Sequence, residues 1–180
     1  GKNRPGVSVS VCIPARDEEG RIASCVQSAL ACAEEAALDI LVYDDDSADG
    51  TREVVQQYAA VNPRIHLAET SPLPPGWCGK THACAELARQ SEGDWLLFLD
   101  ADARLKPGAV RGMLAAAEAH QATFISAWPG IECASVAERL LMPMLNFSVF
   151  TLFPAPLSLR RNQPSLGLGH GACILAERAA

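Results

Sequence analysis

The sequence predicts an α/β fold whose sheet is largely parallel and flanked by helices. Short apolar runs that are typical of buried strands alternate with segments whose apolar residues recur at helical spacing. Polar clusters, most of them acidic, follow three of these runs. A chain of 180 residues can build a substantial core, and we expect a single domain over 1–180.

The strands and helices can be placed in order along the chain. Five runs rich in β-branched, leucine or aromatic residues are predicted as strands: 7–13, 40–43, 64–68, 95–99 and 123–127. The first of them is expected to end at Pro14. Four segments with helical spacing are predicted as helices: 18–36, 49–60, 79–90 and 107–120. Pro107 suits the first position of the last helix, and the prolines of 71–76 exclude regular structure there.

Composition argues against several classes of function. The net charge of −6, without a basic stripe, is unlike a nucleic-acid-binding protein. The seven cysteines are odd in number and lack a Cys-x-x-Cys pair, which predicts reduced thiols in a cytoplasmic protein rather than a disulfide framework or a zinc site. The chain has neither a Gly-x-x-x-x-Gly-Lys-Ser/Thr element nor a Gly-x-Gly-x-x-Gly after its first strand, so P-loop and dinucleotide-binding sites are not predicted.

Three acidic segments follow predicted strands: 14–18, 44–51 and 100–102. Because ligands of open α/β sheets bind beyond the carboxyl ends of the strands, we expect these segments to form one site. The adjacent carboxylates of 44–46 repel one another and need hydrogen-bond donors, a cation or open water. Capping of the next helix by Ser47 or Asp49 accounts for only part of this cluster.

Asp100-Ala101-Asp102 is the clearest candidate for a metal site. It follows a strongly apolar strand, and alternation along an extended chain puts Asp100 and Asp102 on the same side. Carboxylate oxygens suit Mn²⁺ or Mg²⁺, which commonly bind through one or two carboxylates together with substrate phosphates. Such an ion would bridge a diphosphate and stabilise the charge on a departing nucleoside diphosphate.

These motifs resemble glycosyltransferase family 2, which has the Rossmann-like GT-A fold. The Val-Ser-Val-x-Ile-Pro-Ala-x-Asp-Glu opening of that family corresponds to 9–18. Its Asp-Asp-Gly-Ser-x-Asp-Gly-Thr motif corresponds to 44–51, where Asp46 replaces glycine or asparagine, a departure that bears on the loop backbone. Its Gly-Lys-x-x-Ala and Asp-x-Asp elements correspond to 79–83 and 100–102.

The resemblance implies a site and an activity. The implied nucleotide-binding residues are Pro14, Ala15, Asp17, Glu18, Asp45, Lys80 and Asp100, and the implied metal ligand is Asp102. Asp45 would accept a hydrogen bond from the base, Lys80 would lie near the base or phosphates, and Asp100 would approach the ribose. The implied activity is inverting transfer of a sugar from a nucleoside-diphosphate sugar, with Mn²⁺ or Mg²⁺ as the cofactor.

Two further stretches indicate which subgroup of the family the chain resembles. The run 72–80 and the segment 169–173 are similar to members associated with hopanoid or carotenoid biosynthesis, which implies a lipid or polyisoprenoid acceptor. Inverting transfer needs a base, which the family takes from a later acidic pair. The acidic residues after Asp102 stand singly, so we expect the base to lie beyond Ala180 and this chain to transfer sugar poorly.

Two other functions stay open at this point. One is a nucleotide-binding domain without catalytic activity. The other is a nucleotidyltransferase, which would normally carry a glycine-rich, arginine-bearing phosphate loop where this chain has the acidic segment 14–20.

Two histidines, His82 and His170, are candidates for completing a metal shell, although polar histidines without that role are more common.

The segment 140–159 carries no charged residue over a length that would span a bilayer, but Pro143, Pro154 and Pro156 interrupt it. Two interpretations are equally expected. It forms either an apolar surface that receives a lipid acceptor at the membrane interface, or buried core at a domain edge. The first interpretation places the protein at the inner face of the membrane.

Overall fold

The computed structural model describes residues 6–33, 36–130, 133, 135–152 and 169–179. The chain divides into two compact units. The first consists of Gly1–Ala127 together with Gly171–Ala180, and the second is Trp128–His170.

The first unit is a six-stranded sheet flanked by helices. Its strands are β1 Ser8–Ala15, β2 Ala37–Asp44, β3 Ile65–Leu67, β4 Trp95–Leu99, β5 Phe124–Ser126 and β6 Cys173–Glu177. Its helices are α1 Glu19–Leu30, α2 Thr51–Val61, α3 Gly79–Gln90 and α4 Ala109–His120. The strand order is β3-β2-β1-β4-β6-β5, and only β6 runs antiparallel to its neighbours. The predicted α/β class with a mostly parallel sheet is confirmed.

Apolar side chains are buried on both faces of the sheet, as the uninterrupted apolar runs of the central strands require. Val11 and Ile13 of β1 belong to a large cluster that also includes side chains of α1, α2 and α4. Cys12, between them, belongs to a smaller cluster with Ala83 and Leu87 of α3. Strand β1 therefore lies at the centre of the fold, and its carboxyl end opens between the two helical layers.

Several element boundaries differ from the prediction. Strand β1 continues through Pro14, where the sequence predicts its end. The Ala15 carbonyl accepts from Asp45 N–H on the β2 side, so the Pro14 nitrogen turns towards β4, whose pairing with β1 stops at Cys12. A proline there removes no ladder hydrogen bond.

A second difference lies at the start of α4, two residues after Pro107. Gly108 adopts a φ of 88°, which is incompatible with a helix, so Pro107 lies in a turn closed by a hydrogen bond from Ala109 N–H to the Lys106 carbonyl. Helix α1 ends at Leu30, before the predicted limit of 36, and a turn follows it.

The sequence does not predict strand β6, which lies between β4 and β5. Leu175 is fully buried at its centre, opposite Leu97 of β4 and Ile125 of β5. At the adjoining turn, the Ala172 carbonyl accepts from Asp100 N–H at 3.0 Å. This late segment thus supports the end of β4, where the predicted metal motif begins.

The second unit contains α5, Val136–Leu152, none of whose side chains is buried. The ring of Trp128 contacts those of Phe150 and His170 edge-on, and its Nε1–H donates to Asn146 Oδ1 at 3.2 Å. Within the described ranges, none of the helices combines the length and apolarity that a bilayer crossing requires. The part of 140–159 beyond Leu152 lies outside the described residues.

Candidate functional site

A cleft with a volume of about 470 Å³ opens at the carboxyl ends of β1, β2 and β4. Seven of the eight site residues predicted from the sequence line it: Pro14, Ala15, Glu18, Asp45, Lys80, Asp100 and Asp102. The remaining lining residues are Arg16, Cys78, Gly79, Ala83 and Ala101. The parallel arrangement of the three strands brings these distant segments together.

Asp17, the eighth predicted residue, is exposed and joins two loops. Its Oδ1 accepts from Ala48 N–H at 2.7 Å, and its own N–H donates to Ser47 Oγ at 3.0 Å. Its φ of 54° lies in the left-handed region, which aspartate tolerates better than most residues. These contacts hold the loop after β1 against the loop after β2.

The three adjacent aspartates after β2 have different surroundings. Asp44 is buried, with Oδ2 at 3.3 Å from Arg52 Nη1, while its Oδ1 has no hydrogen-bond partner among the described residues. Asp45 lines the cleft. Asp46 is exposed, and its φ of 58° is one that glycine and asparagine adopt readily, so the departure from the family motif is compatible with this loop backbone. Separation and solvent thus relieve the repulsion that the sequence implies.

Side chains at the start of α2 complete the junction of the two loops. Asp49 accepts from the N–H groups of Thr51 and Glu19, both at 3.0 Å. A hydrogen bond from the Thr51 hydroxyl lowers the pKa of the Asp49 carboxyl. Glu18 N–H in turn donates to Thr51 Oγ1 at 2.8 Å. The N-cap of α2 is Gly50, so neither Ser47 nor Asp49 takes the predicted capping position. Asp49 instead accepts from the N–H of Thr51, the first helical residue, and Ser47 bonds to the first loop.

Gly79, the first residue of α3, contacts the carboxylate of Asp45. A Cβ at this position would collide with Asp45 Oδ2, so only glycine lets the carboxylate lie this close to the helix start. Arg16 Nη1 lies 3.7 Å from the same oxygen, Asp45 Oδ2. Neither Gly79 nor Arg16 is predicted individually from the sequence, although Gly79 opens the Gly-Lys-x-x-Ala element.

The proline-rich segment before α3 has a defined conformation. Trp77 N–H donates to the Pro74 carbonyl at 3.2 Å, and Gly76 has a φ of 83°, which together are typical of a type II turn. At the start of the segment, Ser71 N–H donates to the Tyr43 hydroxyl at 3.2 Å. The segment is therefore held to Tyr43 of β2 at its start and closes in a turn just before Cys78, Gly79 and Lys80.

His82 is buried beneath this segment. Its Nε2 lies 3.3 Å from Ser71 Oγ, and its ring meets those of Tyr43 and Trp77 edge-on with centroids 6.1 Å apart. His170 lies in the second unit. Across the described ranges, no three His, Cys, Asp or Glu side chains are grouped so as to hold a metal ion. An ion on Asp102 would therefore draw further ligands from water or from a bound molecule.

The residues that line the cleft carry a net negative charge. Its lining has four carboxylates and two cations, a formal balance of −2. Lys80 Nζ lies 2.6 Å from Asp100 Oδ1, whereas in the described part of the chain no ion pair reaches the Asp102 carboxylate. Such a field attracts a divalent cation and repels an anion that arrives without one.

A buried thiol lies beneath the metal motif. Cys25 of α1 donates to the Asp100 carbonyl at 3.5 Å. Burial raises the pKa of this thiol to about 12, with the charges of Asp102 and Asp100 adding to the effect. The thiol is consequently neutral over the physiological pH range and adds no further negative charge to the site.

Comparison with known proteins identifies related sequences. The model of glycosyl transferase family 2 matches residues 10–180. A 4,4'-diaponeurosporenoate glycosyltransferase from Staphylococcus haemolyticus is 34% identical over 98 residues, which are 54% of this chain and 25% of that protein. One from Staphylococcus aureus is 30% identical over 95 residues, or 53% and 24%. The chain spans about a quarter of the length of the curated relatives it matches.

Solved structures show the same fold at low sequence identity. Glucosyl-3-phosphoglycerate synthase from Mycobacterium tuberculosis, with Mn²⁺ and UDP-glucose, is 21% identical with a TM-score of 0.62, over 97% of this chain and 57% of that one. The mannosyltransferase PcManGT from Pyrobaculum calidifontis, with GDP-mannose and Mn²⁺, is 21% identical with a TM-score of 0.59, over 95% and 44%. These likenesses confirm the predicted GT-A fold.

Proposed function

Because the chain belongs to glycosyl transferase family 2, we propose that it is the donor-binding part of an enzyme that transfers a sugar from a nucleoside-diphosphate sugar with inversion. The acidic cleft carries this proposal. Its formal balance of −2 would repel the anionic donor unless a divalent cation accompanied it. The solved neighbours that hold a nucleotide sugar together with Mn²⁺ support this choice.

The residues present fit Mn²⁺ or Mg²⁺. Asp102 offers hard oxygen atoms, is exposed, and takes part in no ion pair within the described residues, so water and phosphate oxygens have room to complete the coordination. Asp102 would hold the ion, which when bound would neutralise charge on the departing diphosphate. Lys80, whose ammonium lies 2.6 Å from Asp100 Oδ1, would bind a diphosphate oxygen.

The remaining contacts would orient the nucleoside. Asp45, close against Gly79, would accept a hydrogen bond from the base beside Pro14 and Ala15. Asp100 and Glu18 would lie near the ribose. Asp17 would act through the loops it joins, because its carboxylate is engaged by Ala48 N–H. The same loop contacts would thereby fix the position of Asp45.

Calorimetry with a panel of nucleoside diphosphates and triphosphates, with and without Mn²⁺, tests the donor site. We expect one nucleoside diphosphate to bind in the presence of Mn²⁺. This binding should be lost when EDTA is added. Preference for a triphosphate, with release of pyrophosphate on turnover, would favour a nucleotidyltransferase instead. Donor binding without sugar transfer by the full-length protein would favour a binding domain.

Cys78 provides an independent readout, because its exposed thiol lines the cleft. Burial raises the pKa of Cys12 to about 12 and that of Cys173 to about 11, so these thiols have almost no reactive thiolate at pH 8. We expect iodoacetamide to label Cys78 first. A matching nucleoside diphosphate with Mn²⁺, at ten times its Kd, should slow this labelling about tenfold.

The Cys78→Ser variant is the control for this experiment and should lack the fast-labelling thiol. Mass spectrometry of the labelled peptides gives the rate at each cysteine. An unchanged labelling rate at saturating nucleotide and Mn²⁺ would show that the nucleotide does not occupy this cleft.

For the acceptor, we propose a lipid or polyisoprenoid. The curated relatives are named for diaponeurosporenoate, a carotenoid-type molecule. Helix α5 exposes several large apolar side chains, namely Leu140, Leu141, Met144, Phe147, Phe150 and Leu152. A surface of this kind suits contact with a membrane that supplies an apolar acceptor, at its cytoplasmic face.

Replacing Phe147 and Phe150 together with serine tests this surface. Their side chains are 73% and 49% exposed, so the change removes apolar area without opening the core of the first unit. In liposome flotation we expect at least a roughly tenfold loss of partitioning, since each buried phenylalanine contributes about 1.5 kcal/mol or more. Val61→Ser, at another exposed apolar residue, is the control. Equal flotation of the wild type and the double variant would exclude this face.

A further inference from the structure

Lys80 is paired with the carboxylate that adjoins the proposed metal ligand. It is the second residue of α3, and its Nζ lies 2.6 Å from Asp100 Oδ1, slightly closer than is usual for a charge-assisted N–H···O hydrogen bond. The Lys80 side chain is 58% exposed and that of Asp100 only 27%. Asp102, two residues further along the backbone, has no such cation within the described residues.

This pair opposes the binding of a second cation. The ammonium on Asp100 and a metal ion held by the nearby Asp102 would repel each other, because both are cations in one cleft. The backbone of Lys80 is held by α3, whose first residue contacts Asp45, but its four-carbon side chain is flexible. The ammonium can therefore leave Asp100 by side-chain rotation alone, provided that another anion receives it.

We propose that Lys80 changes partner when the donor binds: its ammonium neutralises Asp100 before binding, and it moves to the donor's diphosphate when the nucleotide and a metal ion on Asp102 bind together. This exchange rests on the proposed donor site. A metal ion on Asp102 alone would repel the ammonium without offering it a new anionic partner, whereas the diphosphate offers one. Metal and nucleotide should therefore bind with positive coupling, which linkage makes reciprocal.

The ion pair between Arg16 and Asp45 does not share this behaviour. Arg16 Nη1 lies 3.7 Å from Asp45 Oδ2, at the end of the cleft assigned to the base. A nucleotide base carries no anionic group that would attract the guanidinium away. Arg16→Met thus removes the same unit of charge from the same cleft while leaving the Lys80–Asp100 pair intact, which makes it a matched control.

The exchange can be tested by titrating the protein with Mn²⁺ and measuring the free ion by its EPR signal. The titrations are done without nucleotide and with UDP or GDP. For the wild type we expect the better of the two nucleotides to tighten Mn²⁺ binding at least roughly tenfold. In Lys80→Met, Mn²⁺ without nucleotide should bind about fivefold tighter, and the tightening by nucleotide should fall to about twofold or less. Lys80→Arg retains the cation and should restore weak binding of Mn²⁺ alone.

The outcomes separate this exchange from the proposed function. A wild-type chain that binds neither UDP nor GDP nor Mn²⁺ defeats the donor site and the exchange with it. If the wild type binds both ligands but Lys80→Met leaves Mn²⁺ binding without nucleotide unchanged, the donor site stands and the exchange is wrong. An Arg16→Met effect as large as that of Lys80→Met would also overturn it, because general cleft charge would then explain the result.

Discussion

Replacing Asp102 with asparagine should weaken Mn²⁺-dependent binding of a nucleoside diphosphate about 100-fold, or about 2.7 kcal/mol. The asparagine keeps the size of the side chain but removes the anionic oxygen that would hold the ion. No group of three His, Cys, Asp or Glu side chains in the described ranges could replace it. Isothermal titration calorimetry with and without Mn²⁺ measures the effect directly.

Asp46→Asn is the matched control for this substitution. Asp46 is an exposed aspartate that does not line the cleft, and asparagine readily adopts its φ of 58°. This variant should bind the nucleotide as the wild type does. Wild-type affinity of the Asp102→Asn protein in the presence of Mn²⁺ would remove Asp102 from the metal site.

Replacing Leu175 with alanine should lower the free energy of unfolding by about 3 kcal/mol, the usual scale for a truncated core leucine. Leu175 is 0% exposed and sits between Leu97 and Ile125 in the sheet. The cavity would loosen β6 and, with it, the Ala172 carbonyl that accepts from Asp100 N–H. Nucleotide affinity should therefore fall together with stability.

Urea denaturation followed by tryptophan fluorescence measures this change. Val61→Ala serves as the control, because Val61 is 81% exposed and its truncation should alter stability by about 0.5 kcal/mol or less. A loss below about 1 kcal/mol for Leu175→Ala would mean that β6 is not part of the core.

The location of the candidate site could be predicted because it depends on local patterns and one topological rule. The apolar runs 40–43 and 95–99 form β2 and β4, and acidic residues follow each of them directly. In a parallel sheet such strand ends meet at one edge, whichever helices connect them. Asp45, Asp100 and Asp102 therefore line one cleft although they are far apart in sequence.

The contacts that each side chain makes within the site could not be predicted in the same way. Asp44, Asp45 and Asp46 are alike in sequence, but one pairs with Arg52, one lines the cleft and one is exposed. The difference arises because each side chain is directed by strand pleating and by a left-handed residue in the loop. The pattern of charges along the sequence does not indicate which way each side chain points.

The sequence by itself determined the α/β class, the order of most elements, and the strand ends at which the polar residues gather. Periodicity reports burial along a local segment, so it is sufficient for these features. The tertiary structure alone decided that β6 supports the end of β4, that Gly79 lies against Asp45, and that Lys80 pairs with Asp100. Each of these is a contact between residues distant in sequence, and it forms only when the packed sheet brings them together.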